Sequence, residues 1–319
     1  MPKKYYKNQF TPSGKRLEVV ENYGHPGTTA YKIQFFRTMG RGILRRHRVV
    51  FKHPRYGRDV KFKLYKQSQR KWYKLFQVPD DVIVPFTYFD YSRALGFMKV
   101  ISGLGVNFTN ILHLKSEMWF YKPLVAGERY VIDYVFEDVV KVKRDKAAIV
   151  SYSAINRNGE LYQEVRDHFI IKNVEEKYLS RLHTDEMNQF KGITRLPAEP
   201  IEDVKIKEIY IPLDLPVKYT STSGDYSFIH ITPRAARFFG FGKPFLQGLC
   251  TANLLLKELV MAGIKLEYFS IVFCLPVYLD NTVYLHYNDR EYRLQDAEGR
   301  VLAFGLLHND HKPRLNSSF

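Results

Sequence analysis

Asp225 and His230 stand five residues apart in the run Ser223-Gly224-Asp225-Tyr226-Ser227-Phe228-Ile229-His230. A carboxylate and an imidazole held on one short irregular run can serve as a general acid/base pair for a water or substrate placed between them. A short helical stretch (Pro233 to Phe239) follows, then a Gly/Pro-rich turn with Gly240, Gly242 and Pro244. An apolar helix then runs from Gly248 to Ala262. The first turn of a helix leaves backbone N–H groups without intrahelical partners, so the Gly248 N–H can face a developing oxyanion. Ser223 and Asn253 stand as further polar candidates around Asp225.

Each of these residues has a plain structural counterpart. An Asp five residues before a His recurs by chance, Gly248 alone reads as a helix-start glycine, and Asn253 as a polar group on a helix face. The conjunction, not any member, points to chemistry. Other candidates carry less. His113 sits among apolar neighbours and reads as structural. His308-Asn-Asp-His311 has a ligand-like spacing but no further ligands, so no metal site is expected. Phe97, Met98, Phe238 and Phe239 read as core or as the wall of an apolar channel.

The elements that must position the pair come from a chain of 319 residues, long enough for one large or two ordinary domains. Hydrophobic residues make up 45% of it and aromatics 15%, which excludes a disordered composition. No apolar run approaches the ~20 residues that span a bilayer, and Met1 to Phe10 lacks the apolar core of a secretory signal. Cys250 and Cys274 lie in apolar runs and read as buried thiols of a reducing compartment, so a cytoplasmic protein is expected.

The net charge of +16 is unevenly placed. Residues 1–75 carry a balance of +17, and the remainder is near neutral at −1. Cations from Arg37 to Lys74 are interleaved with Tyr56, Phe62, Tyr65, Trp72 and Tyr73. The section reads first as a partly folded, solvated extension. It also suits an anionic partner: an acidic carrier protein, coenzyme phosphates or a membrane surface. Nucleic acid ranks last, because no recognition motif of fixed spacing accompanies the charge.

From Pro85 to Ile101 the apolar spacing is that of a buried helix. Ile111 to Tyr121 and a Lys122-Pro-Leu-Val-Ala-Gly127 turn follow, then strands over 130–140, 147–156 and 162–171. An Asn-Gly step at 158–159 closes the last hairpin. Residues 173–208 are charged and apolar-poor, a linker by composition. The second half then repeats the order: the Gly248 helix, a strand near Tyr268, a Leu275-Pro-Val turn and three more strands. Two copies of one α+β unit are expected to share a continuous sheet. The expected division is 1–75 (basic section), 76–172 (first repeat), 173–208 (linker) and 209–319 (second repeat).

The second repeat resembles the MaoC-like hydratase/dehydratase family, which includes (R)-specific enoyl-CoA hydratases. The family pattern is Ser-Gly-Asp-x-Asn-Pro-x-His followed by Gly-Phe-x-x-Pro-Ile-x-His-Gly-Met. The chain matches it with Ser223, Gly224, Asp225 and His230, then Gly240, Phe241, Pro244 and Gly248. Ser227-Phe228 stands for Asn-Pro, Gln247 for the second His, and Val272-Phe273 replaces a strand that commonly carries a basic residue. The first repeat matches through His113-Leu-Lys-Ser-Glu117 and the Lys122-Pro…Gly127 turn, without an acid/base pair.

The resemblance covers 80–308 and implies a double hotdog, two long helices each wrapped by antiparallel sheet. It implies reversible hydration of a trans-2-enoyl thioester, with CoA or acyl-carrier protein as carrier and no other cofactor. Asp225 would take a proton from water, His230 would orient the water and protonate the α-carbon, and the Gly248 N–H would polarise the thioester carbonyl. Ser223, Gly224, Ser227, Gln247 and Asn253 would form the surroundings, Ser223 and Asn253 hydrogen-bonding and orienting Asp225. The competing expectation is a silent double hotdog that binds an acyl thioester or scaffolds a partner. Either a homodimer or a monomeric pseudo-dimer is consistent with the repeat.

Overall fold

Alternation of apolar and polar residues across the strand segments builds one eleven-stranded sheet, seen here in a computed structural model. The structure describes residues 28–44, 55–84, 110–136, 139–143, 145–180, 182, 190, 193, 195–196 and 199–308. The first half supplies α1 (Thr29–Leu44), β1 (Arg55–Lys63), α2 (Lys66–Phe76), β2 (Ile111–Phe120), β3 (Arg129–Phe136), β4 (Val140–Lys143), β5 (Lys146–Arg157), β6 (Glu160–Ile171) and α3 (Glu176–Leu179). The second supplies β7 (Lys205–Ile211), α4 (Leu215–Ser223), a 3-10 turn (Phe228–His230), α5 (Pro233–Phe238), α6 (Gly248–Met261), β8 (Tyr268–Phe273), β9 (Asn281–Tyr287), β10 (Glu291–Gln295) and β11 (Val301–Leu306). The expected helix over 85–101 lies outside the described residues.

Strand order is β1-β3-β5-β6-β2-β8-β11-β10-β9-β7, with β4 hydrogen-bonded to β5. Every described pairing is antiparallel. Read outward from the central β2–β8 pair, the halves correspond: β6 to β11, β5 to β10, β3 to β9 and β1 to β7. At the junction Lys115 faces Val272 and Trp119 faces Tyr268, whose rings lie 5.3 Å apart. The repeat read from the sequence is therefore a sheet continuous through its two inner strands.

The basic section was expected to be partly folded: it holds β1, which pairs along β3, and most of α2, which buries Trp72, Tyr73 and Phe76 in the main core. The charged segment after it differs from its expected character. Within 173–208, β7 begins at Lys205 and pairs with β9. The reason is the same in β7 as in any edge strand. Only Ile209 and Ile211 of its seven residues are buried, so the composition reads as solvated chain although every residue pairs with β9 along one edge.

The core lies between sheet and helices. α6 buries Cys250, Ala252, Leu254, Leu255, Leu256 and Leu259, nearly all round its axis, as an enclosed helix must. At the β5–β6 hairpin Asn158 and Gly159 both take positive φ (52° and 82°), which a tight two-residue turn demands. Phe238, expected in a core or channel wall, is 83% exposed, because α5 is only six residues long and buries Ala236 alone. Phe239 is half-buried, and Phe97 and Met98 lie outside the described residues.

Candidate active site

The acid/base loop hangs from the end of α4. That helix was not foreseen; the run before Gly224 is rich in Thr and Ser, whose hydroxyls compete for backbone groups and favour turns. Those hydroxyls turn back on the helix instead: Thr220 Oγ1 donates to the Val217 carbonyl and Ser221 Oγ to Lys218. Gly224 ends the helix in the left-handed conformation (φ 79°), its N–H donating to the Thr220 carbonyl, and so turns the chain to present Asp225.

Ser223 holds the backbone of Asp225 through its hydroxyl, and Ser227 holds the carboxylate through its backbone N–H. The Asp225 N–H donates to Ser223 Oγ at 3.2 Å, while that hydroxyl donates to the Tyr219 carbonyl. The Ser227 N–H donates to Asp225 Oδ1 at 3.0 Å, a local turn that fixes the carboxylate. The chain then closes a 3-10 turn, with the His230 N–H on the Ser227 carbonyl.

His230 is buried, and its Nδ1 lies 2.9 Å from the Phe245 carbonyl oxygen. A carbonyl only accepts, so Nδ1 carries the proton and the neutral ring keeps its lone pair on Nε2. Burial holds the ring's pKa below the usual histidine range; the Asp225 carboxylate and the Phe245 bond oppose this without reversing it. Phe245 is itself fixed by a bridge to Tyr278, with the Leu246 N–H on the Val277 carbonyl. The Pro-Val turn thus sets the histidine's tautomer.

Gly248 opens α6, and Gln247, its N-cap, makes no capping bond with its side chain. The glycine has a packing reason: a Cβ there would lie 3.2 Å from the Phe273 ring. Phe273 thus occupies the space on the Cβ side of Gly248. Gln247 is buried, donates Nε2 to the Pro216 carbonyl, and leaves Oε1 with no protein partner among the described residues. Such an acceptor is costly unless a water or ligand donor meets it, on the order of 1–3 kcal/mol. Asn253 donates Nδ2 to the Tyr219 hydroxyl (3.0 Å) and the Leu249 carbonyl, tying α6 to α4.

Phe273 also meets His113, ring centroids 5.0 Å apart. His113 Nε2 lies 3.2 Å from Asp167 Oδ1 and 3.0 Å from Ser116 Oγ, with its ring stacked on Phe169. The first half therefore places a polar cluster beside Phe273, the ring that packs against Gly248. His308 is exposed, His311 lies outside the described residues, and no group of three metal-ligating side chains occurs among the described residues. Cys250 and Cys274 are free thiols, the latter pushed up to about 11 by burial. No described helix is long and apolar enough to cross a membrane.

The sequence model of the family described as "MaoC like domain" matches residues 197–303, a range that contains Asp225, His230 and Gly248. Residues 197–303 form a MaoC-like domain. The mouse peroxisomal multifunctional enzyme type 2 is 25% identical over 198 residues, covering 60% of this chain and 26% of that protein. The chain thus spans about a quarter of the length of that curated relative. HtdX of Mycobacterium tuberculosis superposes with a TM-score of 0.61 at 17% identity, covering 79% of this chain and 98% of its own. A MaoC-like dehydratase from Phytophthora capsici gives 0.61 at 13% identity, over 84% and 100%. Both likenesses extend well beyond the MaoC-like domain into the first half of the sheet. The fold is a double hotdog.

Two contributors to the site escaped sequence reasoning. Tyr219 carries both the Ser223 and the Asn253 bonds, yet it looks like any helix aromatic. Tyr31 of α1 is fully buried and donates its hydroxyl to the Gly224 carbonyl at 3.1 Å. A signal for it existed: Tyr31, Phe35 and Thr38 recur with helical period and are the buried positions among the described side chains of α1, inside a section dominated by its charge.

Proposed function

We propose that the MaoC-like domain catalyses reversible addition of water across the 2,3-double bond of a trans-2-enoyl thioester, giving an (R)-3-hydroxyacyl thioester. The observation that carries this is the fixed tautomer of His230 beside Asp225 on one loop. Neutral at pH 7, with Nδ1–H spent on Phe245, His230 offers Nε2 to a water that Asp225 also holds. The water oxygen bonds to C3 as Nε2 takes its proton, and the double-bond electrons move toward the thioester oxygen. The imidazolium, stabilised by the Asp225 carboxylate, then returns that proton to C2. This ordering makes His230 first base and then acid, and leaves Asp225 to hold and stabilise. Acid–base placement of this kind contributes roughly 10²–10⁴-fold. The Gly248 N–H meets the thioester oxygen as charge develops, a donor worth ~3 kcal/mol.

The carrier, CoA or acyl-carrier protein, brings phosphate. Exposed cations on the elements flanking the loop suit it: Lys32 and Arg37 on α1, Arg234 and Arg237 on α5. The deciding experiment follows enoyl absorbance with crotonyl-CoA and a longer trans-2-enoyl-CoA, wild type beside Asp225→Asn. Hydration by the wild type, with a loss of roughly 10²–10⁴-fold in the variant, is the expected result. Equal rates would remove Asp225 from the reaction. A wild type silent on CoA thioesters and on the acyl-carrier-protein forms would leave an acyl-binding double hotdog in its place.

A further inference from the structure

The loop that carries Asp225 is covered from outside by a helix of the basic section. Tyr31 and Phe35 of α1 are buried and enclose the Tyr226 ring, at centroid distances of 6.4 and 5.8 Å. Phe36 stacks on Phe228 at 5.2 Å with 14° between planes, and Lys32 Nζ lies 5.4 Å from the centre of Tyr226. Side chains and backbone of 224–228 divide between two directions. The Gly224 carbonyl, Tyr226 and Phe228 meet α1, while the Asp225 carboxylate is turned onto the Ser227 N–H.

The Gly224–Asp225 peptide unit is held at both ends. Its carbonyl accepts from Tyr31, and its N–H donates to Ser223 Oγ. That carbonyl belongs to the end of α4, where the last carbonyls lack intrahelical donors. A peptide plane fixed on both sides sets the direction in which the next side chain leaves the backbone. Phe228 also occupies the place where the family pattern has Pro of Asn-Pro, the loop's own stiffener. Its ring serves α1 instead.

We infer that α1 is the brace of the acid/base loop, and that Tyr31 is a positioning residue for Asp225. The basic section thereby contributes to turnover through packing as well as charge, and α1 supplies from outside the stiffness that Ser227-Phe228 lacks. Contribution to the rate rests on the hydratase reading; contribution to loop order does not.

The test is Tyr31→Phe, which keeps the buried ring and deletes the hydroxyl. Backbone hydrogen exchange is followed at Asp225, Ser227 and His230, with α6 as internal reference, alongside kcat and KM for an enoyl-CoA. The expected result is exchange about tenfold faster at the loop with α6 unchanged, and kcat lowered about tenfold at constant KM. Phe36→Ala, which leaves the hydroxyl in place, should do the same to a lesser degree and serves if Tyr31→Phe fails to fold. Unchanged loop exchange in both variants overturns the brace, and faster exchange with unchanged kcat overturns Tyr31 as a positioning residue for Asp225. If the wild type hydrates nothing, the proposed reaction fails, and exchange alone still decides whether α1 orders the loop.

Discussion

The two halves of the sheet build the same supersecondary unit and place different residues at its working end. β1 leads to α2 as β7 leads to α4, and the two helices pack on each other through Phe76 and Tyr219, ring centroids 6.2 Å apart. Each helix ends on a left-handed residue, Gln77 (φ 54°) in the first half and Gly224 (φ 79°) in the second. One residue further on stand Val78 and Asp225; five beyond those stand Ile83 and His230. Val78 is buried in the main core, and Ile83 is 65% exposed. The scaffold alone therefore does not make a site. The first copy of the turn is a packing device, and Asp225 with His230 is what the second copy adds.

Exchanging the residues of the two turns should break the comparison most sharply. Asp225→Val places in the second turn what the first already carries, so we expect hydratase activity to fall by roughly 10²–10⁴-fold with the melting temperature little changed. Val78→Asp should do the reverse. A carboxyl forced into the core without a partner costs on the order of 2–4 kcal/mol, with kcat unaltered. Steady-state kinetics and urea unfolding of both variants check this. A destabilised Asp225→Val of normal rate would make the acid structural.

A second contrast lies between the buried histidines of the two halves. His230 has Nδ1 bonded to Phe245; His168 on β6 has a buried Nδ1 with no partner among the described residues. Burial pushes the His168 pKa down to about 4, helped by Arg166 and Lys115 and opposed by Glu117 and Asp167. The folded-state value lies below the unfolded one, so the unfolded chain binds the extra proton. Stability is full above the ordinary histidine value and is lost as pH falls from there toward 4. A shift from ~6.5 to about 4 amounts to ~3 kcal/mol by pH 4. His168→Phe should remove that part of the acid slope without touching activity, as unfolding free energies at neutral and acid pH would reveal. His230, lowered in the same direction, should instead place the acid limb of kcat/KM below the usual histidine range.

The sequence displayed strands and α6 through periodicity, and the MaoC-like landmarks singled out Asp225, His230 and Gly248 as candidates. What it hid follows from composition standing for other things. β7 is an edge strand whose charges are solvated, so its pairing left no apolar trace. α4 spends hydroxyls on its own backbone, which Thr and Ser more often do in turns. Tyr31 meets Gly224 across 193 residues of chain, a contact that no local pattern encodes. The Phe245 carbonyl, which decides the tautomer of His230, is backbone and has no sequence signature at all.

The smallest expected effect tests the left-handed residues themselves. A side chain in this conformation costs roughly 1–2 kcal/mol, which glycine does not incur. Gln77 bears that cost at the end of α2 and Gly224 avoids it at the end of α4. Gln77→Gly should therefore stabilise the protein by up to ~1 kcal/mol, part of the gain being offset by the freer unfolded chain. Gly224→Ala should destabilise it by about the same amount. The two differ in consequence: the first leaves kcat alone, while the second lowers kcat, because the peptide unit that Gly224 contributes is the one fixed between Tyr31 and Ser223. Thermal melts paired with enoyl-CoA kinetics separate these outcomes. Were Gly224→Ala to cost stability and no rate, Asp225 would be placed by its own turn with Ser227, and the helix end would be only a helix end.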